Sequence, residues 1–204
     1  MRYRSYLLLC FMAAVIFVTG CDSTSEKVAH INSFEGAVSA RAESDSAFIP
    51  AIAQMPLHSG GAIRTDADGK ALLELVDGSA RISVESDSYY EVRSGSTIGS
   101  HQSGRAVFDV NKQEKDIIIE TPHGNTAVLG TRFAQVISEN SLQIFVEKGL
   151  VEFTSNRGEK QKIAAGKKLS WNPEEKLPDP SEINLLESES FFGNSGSRFD
   201  FNRR

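Results

Sequence analysis

Residues 71–84 read Ala71-Leu72-Leu73-Glu74-Leu75-Val76-Asp77-Gly78-Ser79-Ala80-Arg81-Ile82-Ser83-Val84. Two largely apolar runs stand on either side of an Asp-Gly pair, a strong hairpin signal. Gly78 after Asp77 is expected to supply the positive φ angles of a type I′ turn. The same grammar continues outward. Ile117-Ile118-Ile119-Glu120 has the length of a buried strand, and Leu142–Val146 and Leu150–Phe153 flank Glu147-Lys148-Gly149, which reads as another tight reversal. Asn156-Arg157-Gly158 turns into Lys162-Ile163-Ala164, and Gly166 precedes the strand Lys168–Trp171. No stretch from 28 to 171 sustains a 3.6-residue period over about a dozen residues. The expected fold is all-β: one domain over 34–171 of short antiparallel strands and hairpins, closed as a sandwich or a short β-solenoid-like body.

A weak internal echo links Glu35-Gly36-Ala37-Val38 to Glu147-Lys148-Gly149-Leu150-Val151. Each is followed by a Gly-led strand, Gly61-Ala62-Ile63 and Gly166-Lys167-Lys168-Leu169. After Trp171 the pattern breaks at Pro173, Pro178 and Pro180, so 172–204 reads as a partly disordered tail. Ser181–Glu189 within it has the composition of a short helix capped by Ser181. Phe191, Phe192, Phe199 and Phe201 give the tail the character of an aromatic docking peptide, if it has a role at all.

The other end sets the expected topology. Arg2 and Arg4 precede a short apolar run, Tyr6–Val18, with the layout of a secretory signal and too short for an ordinary spanning helix. Val18-Thr19-Gly20-Cys21 then resembles a bacterial lipoprotein processing signal, an aliphatic residue and two small ones before cysteine. The resemblance implies cleavage between Gly20 and Cys21 and acylation of Cys21, leaving 1–20 as signal peptide and 21–33 as lipidated tether. Two or more acyl chains hold a protein on a membrane, whereas one holds it only marginally. Membrane lipid is thus the first expected partner.

The mature chain would carry 20 basic and 27 acidic residues, a net charge of −7. A mildly acidic chain without a basic cluster argues against nucleic acid as a partner. Cys10 leaves with the signal and Cys21 is acylated, so no thiol remains for a disulfide, a metal or nucleophilic catalysis.

In order, the β region contains Gly36 and Val38; Met55-Pro56-Leu57 with Gly60-Gly61-Ala62-Ile63-Arg64-Thr65; Leu73-Glu74-Leu75 with Asp77-Gly78-Ser79; and Gly104 with Phe108. Then come Thr121-Pro122-His123-Gly124, Val128-Leu129-Gly130-Thr131-Arg132-Phe133, Gly149 with Val151, and Ala165-Gly166. This succession over about 34–170 resembles the FecR-like domain, an extracytoplasmic all-β module. The resemblance implies the outer portion of an envelope regulator that reads a receptor and, in the family, controls a sigma factor through a cytoplasmic segment. With Cys21 as the first mature residue no such segment remains, so direct sigma-factor contact is not expected and a periplasmic protein partner is.

The motif residues Gly36, Val38, Asp77, Gly78, Thr121, Pro122, Gly124, Gly130, Thr131, Phe133, Gly149 and Val151 each have a structural job available. Pro122 ends a strand and restricts Thr121, the glycines permit bends, and Phe133 is a candidate core plug. Two positions depart from the family pattern: Gly61 replaces an aspartate, and Arg132 stands where an acidic residue is common.

No catalytic constellation is legible. His30, His58, His101 and His123 have no paired metal-ligand spacing, and no nucleophile elbow, phosphate loop or dinucleotide fingerprint occurs. Asp66-Ala67-Asp68-Gly69 lacks the rest of a calcium loop and reads as a solvated turn. No metal, cofactor or enzymatic activity is expected. The leading expectation is a membrane-anchored envelope lipoprotein, facing the periplasm, that binds a protein partner in cell-surface signalling or sensing. Asp22 slightly favours the inner membrane. The alternative is a structural lipoprotein holding peptidoglycan or envelope polysaccharide, for which Tyr89, Tyr90 and Trp171 are the candidate aromatics.

Overall fold

The computed structural model describes residues 26–193. The expected signal peptide with Gly20, residues 21–25 of the expected tether with Cys21, and Phe199 and Phe201 lie outside the described residues. The first six strands are β1 (Lys27–Glu35), β2 (Val38–Arg41), β3 (Ile49–Pro50), β4 (Pro56–His58), β5 (Ala62–Thr65) and β6 (Lys70–Leu75). β7 (Ala80–Val84), β8 (Tyr89–Val92) and the long β9 (Thr97–Val110) follow. Then come β10 (Ile117–Thr121), β11 (Gly124–Val128), β12 (Arg132–Ser138) and β13 (Ser141–Lys148). β14 (Leu150–Ser155), β15 (Lys160–Ala164), β16 (Lys167–Trp171) and β17 (Ser181–Glu182) complete the series. The chain is all-β, with one four-residue helix, α1 (Leu185–Ser188), near its C-terminal end.

The strands form one hydrogen-bonded network folded into two layers. One layer runs β4-β1-β6-β7-β9-β12-β13-β16-β17 and the other β3-β2-β5-β8-β9-β10-β11-β14-β15. β9 belongs to both: Thr97–Ser103 pairs in the second layer and Gly104–Val110 in the first. Every ladder is antiparallel except β9–β10. That pairing is parallel because the chain leaves the end of β9 in one layer, crosses at residues 111–116, and runs beside the start of β9 in the other.

The building unit is a hairpin bent over the sandwich edge. β2 pairs β5 in one layer while β1 pairs β6 in the other, and β14–β15 and β13–β16 repeat that plan. Glu147-Lys148-Gly149 is therefore not a reversal, because β13 and β14 do not pair. It is a corner at which one strand passes between layers. A charged pair before a glycine gives the same sequence signal for either. The echo of Gly36 with Gly149 marks equivalent corners, but Gly166 matches the corner at Gly69 and not Gly61, which precedes β5.

Gly149 shows why the corner needs glycine. Its φ is +90°, and a Cβ there would stand 2.7 Å from the Gly130 carbonyl oxygen and 2.8 Å from Thr131 Oγ1. Gly158, in the β14–β15 turn, has φ +83° but open space around it. Gly149→Ala is expected to cost about 1–3 kcal/mol, and Gly158→Ala only about 1 kcal/mol from the backbone alone. Urea unfolding of the two variants side by side checks this; equal losses would show that the corner contact contributes nothing.

The Asp77-Gly78 hairpin forms, but not as a type I′ turn. Only Gly78 has positive φ, Gly78 N–H donates to Leu75 O at 3.0 Å, and Ser79 N–H donates to Asp77 Oδ1 at 2.9 Å. The aspartate side chain closes the loop and the strands are joined by four residues instead of two. Gly61 also has a physical reason. A Cβ there would lie 2.5 Å from the Ala42 carbonyl oxygen, so the aspartate of the family pattern has no room.

Alternation of inward residues fills the space between layers: Ile117, Ile119 and Thr121 from β10, Val151, Phe153 and Ser155 from β14. Phe108 stacks on Phe133 at 4.9 Å, and Trp171 meets Phe153 edge-on at 5.7 Å. The sheet ends are short or marked by Pro50, Pro56 and the exposed Lys160 and Lys162, which discourages strand addition.

In the tail, Ser181 does not cap a helix. Ser181–Glu182 pairs with β16, and Asn184 caps α1, its side chain accepting from Glu187 N–H at 2.9 Å. The helix begins later than composition suggests because the edge of β16 takes the first two residues.

Candidate functional site

At one edge of the sandwich the corners after β9, β11 and β13 come together. Thr131, just before β12, donates its hydroxyl to Leu150 O at 2.9 Å and accepts from Leu150 N–H at 3.4 Å. This ties two layer-crossing corners side by side. Lys112 packs against Gly130 so closely that a Cβ on the glycine would stand 2.7 Å from Lys112 Cα. Between these corners lies a cleft of about 1100 Å³.

The exposed leucines Leu129 and Leu150 stand in the cleft, 49 % and 47 % accessible in a body whose other apolar residues are mostly inside. Its charges balance: Asp109, Asp116, Glu147 and Glu152 face Lys112, Arg132, Lys148 and Lys162. Arg132 pairs with Glu147 at 2.9 Å, so the reversed charge at that motif position is answered across the β12–β13 ladder. A neutral, partly apolar groove with a charged rim suits a protein surface better than a polyanion.

Of the motif residues, Gly130, Thr131 and Gly149 line the cleft. Asp77 and Gly78 adjoin its rim, where Asn111 Nδ2 donates to Gly78 O at 2.7 Å. Thr121 and Gly124 flank the β10–β11 turn elsewhere, whose two linking residues are Pro122 and His123. Thr121 Oγ1 donates to Gly124 O at 2.7 Å there, and Asn156 Nδ2 donates to Pro122 O at 2.7 Å. Gly36 and Val38 sit at the β1–β2 corner, and Phe133 and Val151 are fully buried. The motif thus maps onto corners, turns and core, and only part of it onto one surface.

The histidines lie apart. His123 Nε2 lies 2.8 Å from Ser138 O, and His30 Nε2 3.8 Å from Glu74 Oε2. Among the described residues no three His, Cys, Asp or Glu side chains converge to hold a metal ion. In the sequence His101 stands in the polar run Gly99-Ser100-His101-Gln102-Ser103. It is fully buried between the layers, 3.4 Å from Gln135 Oε1 through Nδ1, while Gln135 Nε2 donates to Thr126 Oγ1 at 2.7 Å. Its Nε2 has no partner, and burial drives its pKa down to about 4 despite hydrogen bonds to Gln135 and Ser103. The imidazole is neutral at pH 7 and sealed from solvent, so it has no route to a substrate proton.

Of the aromatics considered for glycan binding, Tyr90 and Trp171 are buried, with Tyr90 OH 3.4 Å from Ile98 O and Trp171 Nε1 3.1 Å from Glu175 O. Tyr89 is half-buried beside Phe48, at 6.2 Å between ring centres. No described helix is long and apolar enough to cross a membrane.

A family described as FecR protein matches residues 61–152, from just before β5 into β14 and somewhat under half of the chain. Among solved structures, two crystal structures of a “putative anti-sigma factor” from Parabacteroides distasonis ATCC 8503 share the fold. Their TM-scores are 0.53 and 0.52 at 16% and 17% identity. In each case 61% of this chain aligns, and it spans 61% of the other chain's length. No curated protein matches.

Proposed function

We propose that this chain is a non-enzymatic envelope lipoprotein, anchored through acylated Cys21, whose FecR-like β body binds a periplasmic protein partner in cell-surface signalling or sensing. The observation that carries the reading is the corner cleft, where Gly130, Thr131 and Gly149 of the motif frame two exposed leucines. The match of the FecR family to residues 61–152 supports a regulatory role, as does the likeness to the Parabacteroides distasonis protein. The alternative of glycan binding draws less support, since Tyr90 and Trp171 are inside.

A photo-reactive amino acid at Leu129 or Leu150 is expected to give one dominant adduct in cells, and the same group at Asn125, on the outer face of β11, to give none. Equal adducts at all three positions, or none at either leucine, would remove the cleft from the interaction. For the anchor, Cys21→Ser is expected to abolish labelling by radioactive palmitate and to release soluble protein or leave uncleaved precursor. Wild-type labelling of that variant would overturn the lipoprotein reading.

A further inference from the structure

The corner cleft stands open, and the end of the same chain lies within reach of it. Val128 and Val151 make the last rung of the β11–β14 ladder and are buried. The next residues, Leu129 and Leu150, therefore stand opposite one another and face outward. The charges around them are only partly met. Arg132 pairs with Glu147 and Lys162 with Glu152. Among the described residues Lys112, Lys148 and Asp116, which line the same cleft, have no ionic partner.

The described residues end at Gly193, close to this cleft. Phe192 packs on Val107, Ala134 and Phe145, a row across β9, β12 and β13 on the outer face of the first layer. Phe191 stacks on Phe145 at 3.9 Å and Arg105 lies over the Phe191 ring at 4.4 Å, which holds the segment in place. Two residues further along the same three strands are Asp109, Arg132 and Glu147, a wall of the cleft. Leu129 and Leu150 come three residues beyond Arg132 and Glu147. From the row to the leucines is thus at most about 17 Å, at about 3.3 Å per residue. Phe199 follows Phe192 by seven residues, which span about 23 Å when extended.

The residues delivered over that distance have the chemistry the cleft lacks. In Phe199-Asp200-Phe201 the types alternate. An extended segment of this kind puts both rings on one side, about 7 Å apart, and the carboxylate on the other. Two rings suit two opposed leucines, Asp200 suits Lys112 or Lys148, and Arg203 and Arg204 suit Asp116.

We propose that residues 199–204 dock in the cleft of their own chain, with both phenylalanines over Leu129 and Leu150, and close it to the partner until displaced. The proposal rests on the cleft as the partner-binding surface and adds its regulation. Residues 183–192 are the mount that sets the reach of the tail. An intramolecular ligand competes at high effective concentration, so the partner meets a weaker site than the empty cleft would be.

The probe is a photo-reactive amino acid at Leu150 of the purified full chain, irradiated and then digested with trypsin. Cleavage after Arg198 and Arg203 is expected to leave Leu150 joined to residues 199–203 of the same chain. The same group at Asn125 is expected to give no such product. Phe199→Ser/Phe201→Ser is expected to reduce the product at least fivefold and, in cells, to raise the partner adduct at Leu150 at least threefold. Its urea midpoint is expected to match that of wild type. Arg203→Glu/Arg204→Glu is expected to act in the same direction, less strongly. No product with 199–203, an equal yield at Asn125, or no response to the phenylalanine pair would overturn the proposal. A product joining two chains would make the tail of a second copy the occupant and overturn it too. So would a lower urea midpoint with an unchanged partner adduct, the result for a tail that only caps the fold. If the tail product forms and no variant gives a partner adduct, the protein-binding reading falls while the docked tail stands.

Discussion

Phe133→Ala is expected to lower the unfolding free energy by about 3–5 kcal/mol, the range for truncating a fully buried phenylalanine. Phe133 has no exposed surface and stacks on Phe108 at 4.9 Å, in a strand with β9 on one side and β13 on the other. Collapse around the void is hindered because both neighbouring strands are held by full ladders. A domain of this size has about 5–15 kcal/mol in total, so the loss is a large share of its stability. Urea denaturation gives the number. Phe133→Leu, which keeps most of the volume, is expected to lose less than half as much. A loss below about 1 kcal/mol for the alanine variant would mean that the layers close around the gap, contrary to the packing described.

The second large effect is with pH. His101 has a folded-state pKa of about 4 because burial penalises its charged form, against an ordinary value of about 6.5. Between these values the unfolded chain takes up a proton that the folded chain refuses. Stability is therefore full above about pH 6.5 and falls as the pH drops towards 4, by roughly 3 kcal/mol when the window has been crossed. His101→Phe keeps a ring of similar size beside Tyr90 and Phe108, whose ring centres lie 6.4 and 6.1 Å from that of His101, and removes the titration. Wild type is expected to lose about 2–3 kcal/mol more than His101→Phe between pH 7.5 and 4.5. Identical losses in the two proteins would show that His101 gains solvent or a partner on protonation.

The fold class was legible because alternation marks a half-buried strand and Gly-containing turns mark its ends. Asp77-Gly78 and Asn156-Arg157-Gly158 both signalled true hairpins. The layer crossings were not legible. Glu147-Lys148-Gly149 has the composition of a hairpin turn, and only the identity of the strands paired on each side distinguishes a corner from a reversal. The cleft was hidden for the same reason, since Lys112, Leu129 and Leu150 become neighbours only after three corners stack at one edge. His101 shows the opposite case. Its surroundings in sequence are polar, yet the first half of β9 carries it into the core opposite Tyr90. The motif glycines were found by pattern, and their reasons, a carbonyl 2.7 Å from a missing Cβ or no room at Gly61, are matters of long-range packing.

β9 gives half of its length to each layer and pairs with β7 and β8 on the N-terminal side and with β10 and β12 on the C-terminal side. A body assembled from repeated bent hairpins would seem divisible between repeats, as solenoids are. Here any cut strips one of the two resulting pieces of its central strand and leaves its neighbours with open ladders in both layers. Repetition of the plan has therefore not produced modularity. The unit that can be gained, lost or recombined intact is the whole sandwich.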